Sequence, residues 1–166
     1  MIQRKVCMLG AFAAGKTSLV SRFVRNTFSE KYLTTVGVRI ERKTVRGGDS
    51  VESDLVLWDL HGEDEFQSVR TAYLRGSSGC ILVVDRTRPA TLQAAIRLHH
   101  EVRATLGEVP CIYALNKTDL DSGPAIGDTV LTDLRRQGSI VIETSAKTGL
   151  GVEDAFEALV RAMADT

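Results

Sequence analysis

Nine residues constrain this chain more than any others: Gly10-Ala11-Phe12-Ala13-Ala14-Gly15-Lys16-Thr17-Ser18. They fit G-x-x-x-x-G-K-[ST], the phosphate-binding loop pattern. An apolar run, Val6-Cys7-Met8-Leu9, precedes them, and a helical pattern, Leu19-Val20 and Phe23-Val24, follows. That is the strand–loop–helix setting the motif requires. The tight glycine turn lets successive backbone N–H groups converge on an anion. The helix N-terminus behind it adds donors and the positive end of a dipole. In this reading Ala13, Ala14, Gly15 and Ser18 belong to the cradle, Lys16 reaches the β- and γ-phosphates, and the Thr17 hydroxyl ligates Mg²⁺.

The chain has 166 residues, enough for one domain with a real core, read as 1–166. Lys+Arg and Asp+Glu both number 21, so no general electrostatic pull toward nucleic acid or acidic membranes exists. The densest basic run, Arg39 to Arg46, includes Glu41 and reads as an exposed strand face. Cys7, Cys80 and Cys111 each sit in an apolar run without metal-ligand spacing. They read as buried free thiols in a reducing compartment, and the protein as cytoplasmic. No apolar run approaches the roughly 20 residues that span a bilayer. The N-terminus enters a strand directly, so no signal peptide is expected. The C-terminal Arg161 to Thr166 holds no cysteine for a lipid.

Strand and helix patterns alternate. Ile2–Leu9 reads as a strand, Lys16–Arg25 as a helix and Thr27–Thr35 as a loop. Val36–Val45 and Val51–Asp59 flank Arg46-Gly47-Gly48-Asp49-Ser50, a hairpin signal. Leu60 to about Val69 is irregular. Gly79–Asp85 is a continuous apolar strand, suited to a sheet covered on both faces. Pro89 opens a helix with Thr87 as its cap. The stripe Leu92, Ala95, Ile96, Val102, Leu106 includes His99, read as packed or at an edge, while His100 reads as solvated. Pro110–Leu115 is a buried strand, and Val130, Leu131 and Leu134 mark a short helix. Ser139–Glu143 is a strand, and Val152, Ala155, Phe156, Leu159, Val160 and Met163 stripe a terminal helix. This alternation predicts an α/β fold: a mainly parallel sheet with one antiparallel strand, binding its ligand beyond the strands' carboxyl ends.

Three further motifs fall at such ends. Asp59-Leu60-His61-Gly62 follows the third strand; Asp59 can hold the Mg²⁺ shell through water, and Gly62 admits a γ-phosphate to the backbone. Asn116-Lys117-Thr118-Asp119 follows the fifth. The Asp119 carboxylate can accept two hydrogen bonds from guanine, where adenine would leave it unpaired, and the Lys117 stem can lie along the base. Ser145-Ala146-Lys147 follows the sixth, where backbone N–H groups can meet the guanine carbonyl.

On these motifs the chain resembles a small GTPase of the Ras superfamily over nearly its whole length. Trp58-Asp59 and Thr35-Val36-Gly37-Val38 are most similar to the Rab branch. The resemblance implies the three-layer P-loop NTPase fold, a six-stranded mixed sheet flanked by helices. It implies GTP or GDP bound with Mg²⁺, slow hydrolysis, and two switch loops, about 28–39 and 60–73, that present different surfaces to effectors and regulators. It implies that Thr35 closes on Mg²⁺ and the γ-phosphate, with Thr34 as the nearest competitor. Phe28 would pack on the base, Tyr32 would cover the phosphates, and Leu120 would join the nucleotide contacts.

Departures from the family pattern are specific. Glu63 stands where a glutamine usually orients the attacking water; a carboxylate accepts hydrogen bonds but donates none. It reads either as a base after rearrangement or as a solvated loop acid, and neutral His61 is the alternative water-orienting group. Phe12 crowds the place where a partner's arginine finger would enter. An aromatic triad beside the switches is typical of Rab proteins. Trp58 and Tyr73 fit it, but Ile40 replaces its first member. The competing reading is a GTP-binding interaction module with negligible hydrolysis.

Overall fold

The computed structural model describes residues 1–30, 38–47, 51–60, 71–120 and 126–166. The first half comprises β1 (Ile2–Gly10), α1 (Lys16–Arg25), the strands β2 (Val38–Gly47) and β3 (Val51–Leu60), and a one-turn helix α2 (Thr71–Leu74). Then follow β4 (Gly79–Asp85), α3 (Ala90–Leu106), β5 (Cys111–Asn116), α4 (Asp128–Arg136), β6 (Ile140–Glu143) and α5 (Val152–Ala164). The six strands form one sheet in the order β2-β3-β1-β4-β5-β6. Only the β2–β3 pair is antiparallel, with Gly47 opposite Val51, as the hairpin signal predicts. The turn residues 48–50 themselves lie outside the described residues.

β1 lies between β3 and β4, so successive connections run to opposite sides of it: β2 and β3 on one, β4 to β6 on the other. A crevice therefore opens beyond the carboxyl end of β1, where the loop 11–15 begins. Every residue of β4 is buried, which accounts for its unbroken apolar run. One face of the sheet packs on α1 and α5 around Leu19, Phe23, Phe156 and Leu159. The Phe23 and Phe156 rings stack with centroids 3.7 Å apart. The other face packs on α2, α3 and α4 around Leu74, Leu92, Val102 and Leu131.

Several boundaries differ from expectation for local reasons. β1 runs on through Gly10. β5 starts at Cys111, one residue later than expected, because Pro110 has no N–H to give the ladder. The Thr87 hydroxyl does not cap α3; Pro89 occupies the cap position, and Thr87 donates to Asp85 instead, at 2.7 Å. α2 follows the irregular stretch 60–69, in a segment to which the sequence assigns no helix. Val130 is 42% exposed, off the buried stripe of α4. Cys111 is half-buried rather than buried, since it opens β5 at the margin of the sheet.

Candidate functional site

The loop after β1 is held from outside by side chains of other elements. Lys16 Nζ donates to the Gly10 and Ala11 carbonyls at 2.8 and 3.1 Å. An Arg88 guanidinium nitrogen donates to the Phe12 carbonyl at 2.7 Å. Lys117 Nζ donates to the Ala13 carbonyl at 2.9 Å, and Asn116 Nδ2 to the Ala14 carbonyl at 3.0 Å. Five successive carbonyls, Gly10 to Ala14, are thus drawn onto protein donors. Peptide N–H and C=O groups point in opposite directions, so this arrangement turns the loop's N–H groups the other way, as an anion cradle needs, except that the Ala14 N–H donates to the Ala11 carbonyl at 3.2 Å.

The backbone shape enforces this. Gly15 sits at φ +106°, and a Cβ there would lie 2.3 Å from Asn116 Nδ2. A side chain at Gly10 would meet the Val83 carbonyl at 2.5 Å. Ala13 holds the left-handed conformation at φ 60°, a strain of about 1–2 kcal/mol that the Lys117 hydrogen bond helps hold.

Behind the loop, the Thr17 hydroxyl donates to Asp59 Oδ2 at 2.7 Å, and Asp59 is fully buried at the end of β3. A hydroxyl and a carboxylate in contact, with no sulfur or imidazole beside them in the pair, form an oxygen donor set that suits Mg²⁺.

Opposite, three loops are stapled together by buried polar groups. The Asn116 Oδ1 atom accepts from the Thr144 hydroxyl at 3.2 Å and from the Ala146 N–H at 3.4 Å. Its side chain therefore joins three loops, with one of its two amide N–H groups on the Ala14 carbonyl. Asp119 Oδ1 accepts from the Ser145 hydroxyl at 2.7 Å. Lys117, at φ 65°, bridges Ala13 and Asp85, with Nζ 3.0 Å from Asp85 Oδ2. Lys147 pairs with Glu30 at 3.2 Å, and Leu120 is 41% exposed. Ser18 lies in the first turn of α1. Phe28 is exposed beyond the same helix. Tyr32, Thr35, His61, Gly62 and Glu63, and most of both switch loops, lie outside the described residues.

The model of the Ras family matches residues 5–165. Rab-7L1 of rat is 34% identical over 165 residues, covering 96% of this chain and 81% of that protein. The chain belongs to the Ras family. Within it the chain is Rab-like: mouse Rab-31 is 33% identical over 95% of this chain and 81% of its own length. The plant protein RABA2a of Arabidopsis thaliana is also 33% identical, over 94% of this chain and 72% of its own length. As a Ras-family member this protein is a small GTP-binding switch protein of a family of GTPases, and no helix among its described residues is long and apolar enough to cross a membrane.

Two features of this Ras-family site escape sequence reading. Asp85, at the end of β4, is 2% exposed and gathers the Thr87 N–H and hydroxyl, Arg88 Nε and Lys117 Nζ. Burial pushes its pKa up, but the hydrogen bonds from Thr87 and the Lys117 ammonium outweigh that and hold the carboxyl below its ordinary value. An acid closing a wholly buried apolar strand is the signal that could have marked it. The second is Arg22 of α1, which donates to the Ala146 and Lys147 carbonyls at 2.7 and 2.6 Å and so carries the phosphate-side helix onto the base-side loop. On β2, β3 and α2, Trp58 and Tyr73 have ring centroids 6.4 Å apart, and Ile40 faces Trp58 in register, half exposed.

Proposed function

We propose that this protein is a cytoplasmic signalling switch, one domain over residues 1–166, that binds GTP and GDP with Mg²⁺ and hydrolyses GTP slowly. The observation that supports it most is the outward draw of the five carbonyls from Gly10 to Ala14, which favours phosphate binding by the loop's N–H groups, the Ala14 N–H leaving the Ala11 carbonyl to join them. Lys16 would leave the loop carbonyls for the β- and γ-phosphate oxygens, and the N–H groups of Ala13 to Ser18 would take the remaining ones. Thr17 and Asp59 would hold Mg²⁺, Asp59 through water, with Thr35 completing the shell. The metal, when bound, neutralises charge on the β- and γ-oxygens. Asp119, held in place by Ser145, would select guanine, with Ala146 N–H on the base carbonyl and Lys117 and Phe28 on its faces. Thr35 and Gly62 would sense the γ-phosphate, so that loops about 28–39 and 60–73 differ between the two states and present different surfaces to effectors. Glu63 or His61 would orient the water. Free thiols support a reducing compartment.

The test is a titration of nucleotide-free protein with GTP and with ATP in Mg²⁺. Guanine preference by up to 10⁴–10⁵ is expected from a carboxylate that adenine cannot satisfy. Equal affinities would overturn the reading. A second reading, binding without turnover, is favoured by Phe12, which is 44% exposed at the loop's mouth with its carbonyl tied to Arg88. Single-turnover conversion of bound GTP decides between them: GDP above the protein-free control supports the switch, and none supports the module.

A further inference from the structure

We propose that Cys111 is a thiol modification site, a nucleophile that opens into a cavity at the amino ends of β5 and β6 and is resolved by Cys80 on the neighbouring strand. The cavity has a volume of about 400 Å³ and is lined by Ile96, His99, Arg103, Cys111, Tyr113 and Leu134 among others. It lies at the far end of the sheet from the nucleotide loops, since Cys111 precedes Asn116 by five residues on the same strand.

The placement of three groups makes the site. First, Cys80 and Cys111 are direct partners in the parallel β4–β5 ladder, so both side chains leave the same face. Neighbouring strands run about 4.8 Å apart, inside the 4.4–6.8 Å range of Cα separations that a disulfide bridges. Second, His99 and Arg103 are one turn apart on α3, so they share a face, and both line the cavity with the thiol. Third, the Tyr113 hydroxyl lies 2.9 Å from His99 Nδ1 and fixes the imidazole. Burial and the neighbouring Cys111 charge push the Tyr113 pKa up to about 12. The hydroxyl therefore keeps its proton and can donate to Nδ1.

Two more charged or titratable groups line the cavity. Glu108, 82% exposed at its side chain, pairs with Arg103 at 3.2 Å and offsets part of its charge, and His100 is exposed at the rim. Cys7, next in register beyond Cys80, is occupied by the Ser77 hydroxyl at 3.1 Å and the Tyr73 carbonyl at 3.4 Å. The Cys80 side chain beside it, and then His99, hold the Cys111 thiol below its ordinary value, even though its Sγ donates to the Val109 carbonyl at 3.6 Å; the pairing with Cys111 and burial push Cys80 up, and burial pushes Cys7 up. The three cysteines are thus ranked, with the most accessible one carrying the thiolate.

The matching reagent is a hydroperoxide or another small soft electrophile. The Cys111 thiolate attacks one peroxide oxygen; the S–O bond forms, the O–O bond breaks, and the departing alkoxide or hydroxide takes a proton from water. Cys80 then attacks the sulfenic sulfur; the S–S bond forms, the S–O bond breaks, and the Cys80 proton leaves with hydroxide as water.

The test uses the purified full chain, iodoacetamide and hydrogen peroxide, with peptide mass spectrometry. The pH profile of Cys111 alkylation is expected to have its midpoint below the value of about 8.5 of an ordinary thiol, and Arg103→Gln and His99→Gln to move it upward. At pH 6.5 the folded chain should react at Cys111 several-fold faster than the urea-unfolded chain, the gain in thiolate being partly offset by lower nucleophilicity. Peroxide should yield a Cys80–Cys111 crosslink, and in Cys80→Ser a dimedone-trapped sulfenic acid at Cys111. An ordinary midpoint unmoved by Arg103→Gln, a first adduct at Cys7 or Cys80, or three intact thiols after peroxide would each overturn the proposal.

Discussion

At the carboxyl ends of β1, β4 and β5, the side chains of Lys16, Arg88, Lys117 and Asn116 all donate to backbone carbonyls of one loop. At the amino ends of β4 and β5, Cys111, His99 and Tyr113 line a cavity instead, with Cys80 buried beside Cys111 on the next strand. The first arrangement fixes a backbone shape by satisfying the loop's carbonyls with protein donors. The second fixes little backbone and leaves reactive groups facing space. Both ends belong to the same strands, so the contrast comes from what the flanking loops supply and not from the sheet.

Substitutions should separate the two ends. The largest effect is expected from Asp119→Asn, which should weaken GTP by at least 10³-fold and admit xanthosine nucleotides, whose 2-oxo group replaces the guanine donor; competition binding measures both. Unchanged GTP affinity would remove Asp119 from base selection. Next, Asp85→Asn strips the charge from a hub that serves Thr87, Arg88 and Lys117, at a cost of about 2–3 kcal/mol in urea unfolding.

The same variant should change the acid limb. The folded-state pKa of Asp85 lies below the unfolded value of about 3.9. Its carboxylate therefore stabilises the fold above that value, and this contribution is lost as pH falls through the folded-state pKa. Stability measured between pH 5 and pH 2 should fall less steeply in Asp85→Asn than in the parent.

Third, Arg88→Ala should cost about 1 kcal/mol of stability, because its guanidinium is partly solvated, and should weaken nucleotide by several-fold through the freed Phe12 carbonyl. Smallest, Tyr113→Phe at the other end should cost about 1 kcal/mol or less and leave nucleotide affinity unchanged. A loss of GTP affinity in Tyr113→Phe comparable to that in Arg88→Ala would break the distinction between the ends.

Much of this was legible in the sequence because the chemistry is local. The α1 helix matches its expected bounds, since a turn glycine and an apolar stripe define both its ends. β4 does too, because only a strand covered on both faces tolerates such a run. The α5 stripe buries each of the six residues that its spacing predicts. What was not legible depends on partners far apart in sequence. Asp85 meets Lys117 only because β4 and β5 pair with Asp85 opposite Asn116. Thr87 is a plausible helix cap by position, but the nearer Asp85 carboxylate claims its hydroxyl. Grouping Asn116 with the base readers follows from its neighbours in the chain. That its side chain also ties loops together depends on Ala14 and Thr144, brought in from two other loops.

The five tethered carbonyls also decide how portable the phosphate loop is. Four of its holders are side chains, and three of those, Arg88, Asn116 and Lys117, come from more than seventy residues away. A synthetic peptide of the nine motif residues, or the same nine grafted into a foreign strand–helix turn, would keep the glycines and Lys16 but none of the three distant anchors. Such a transplant would sample many shapes and surrender its grip on anions, so anyone moving this loop to a new scaffold must carry over the ends of β4 and β5 as well.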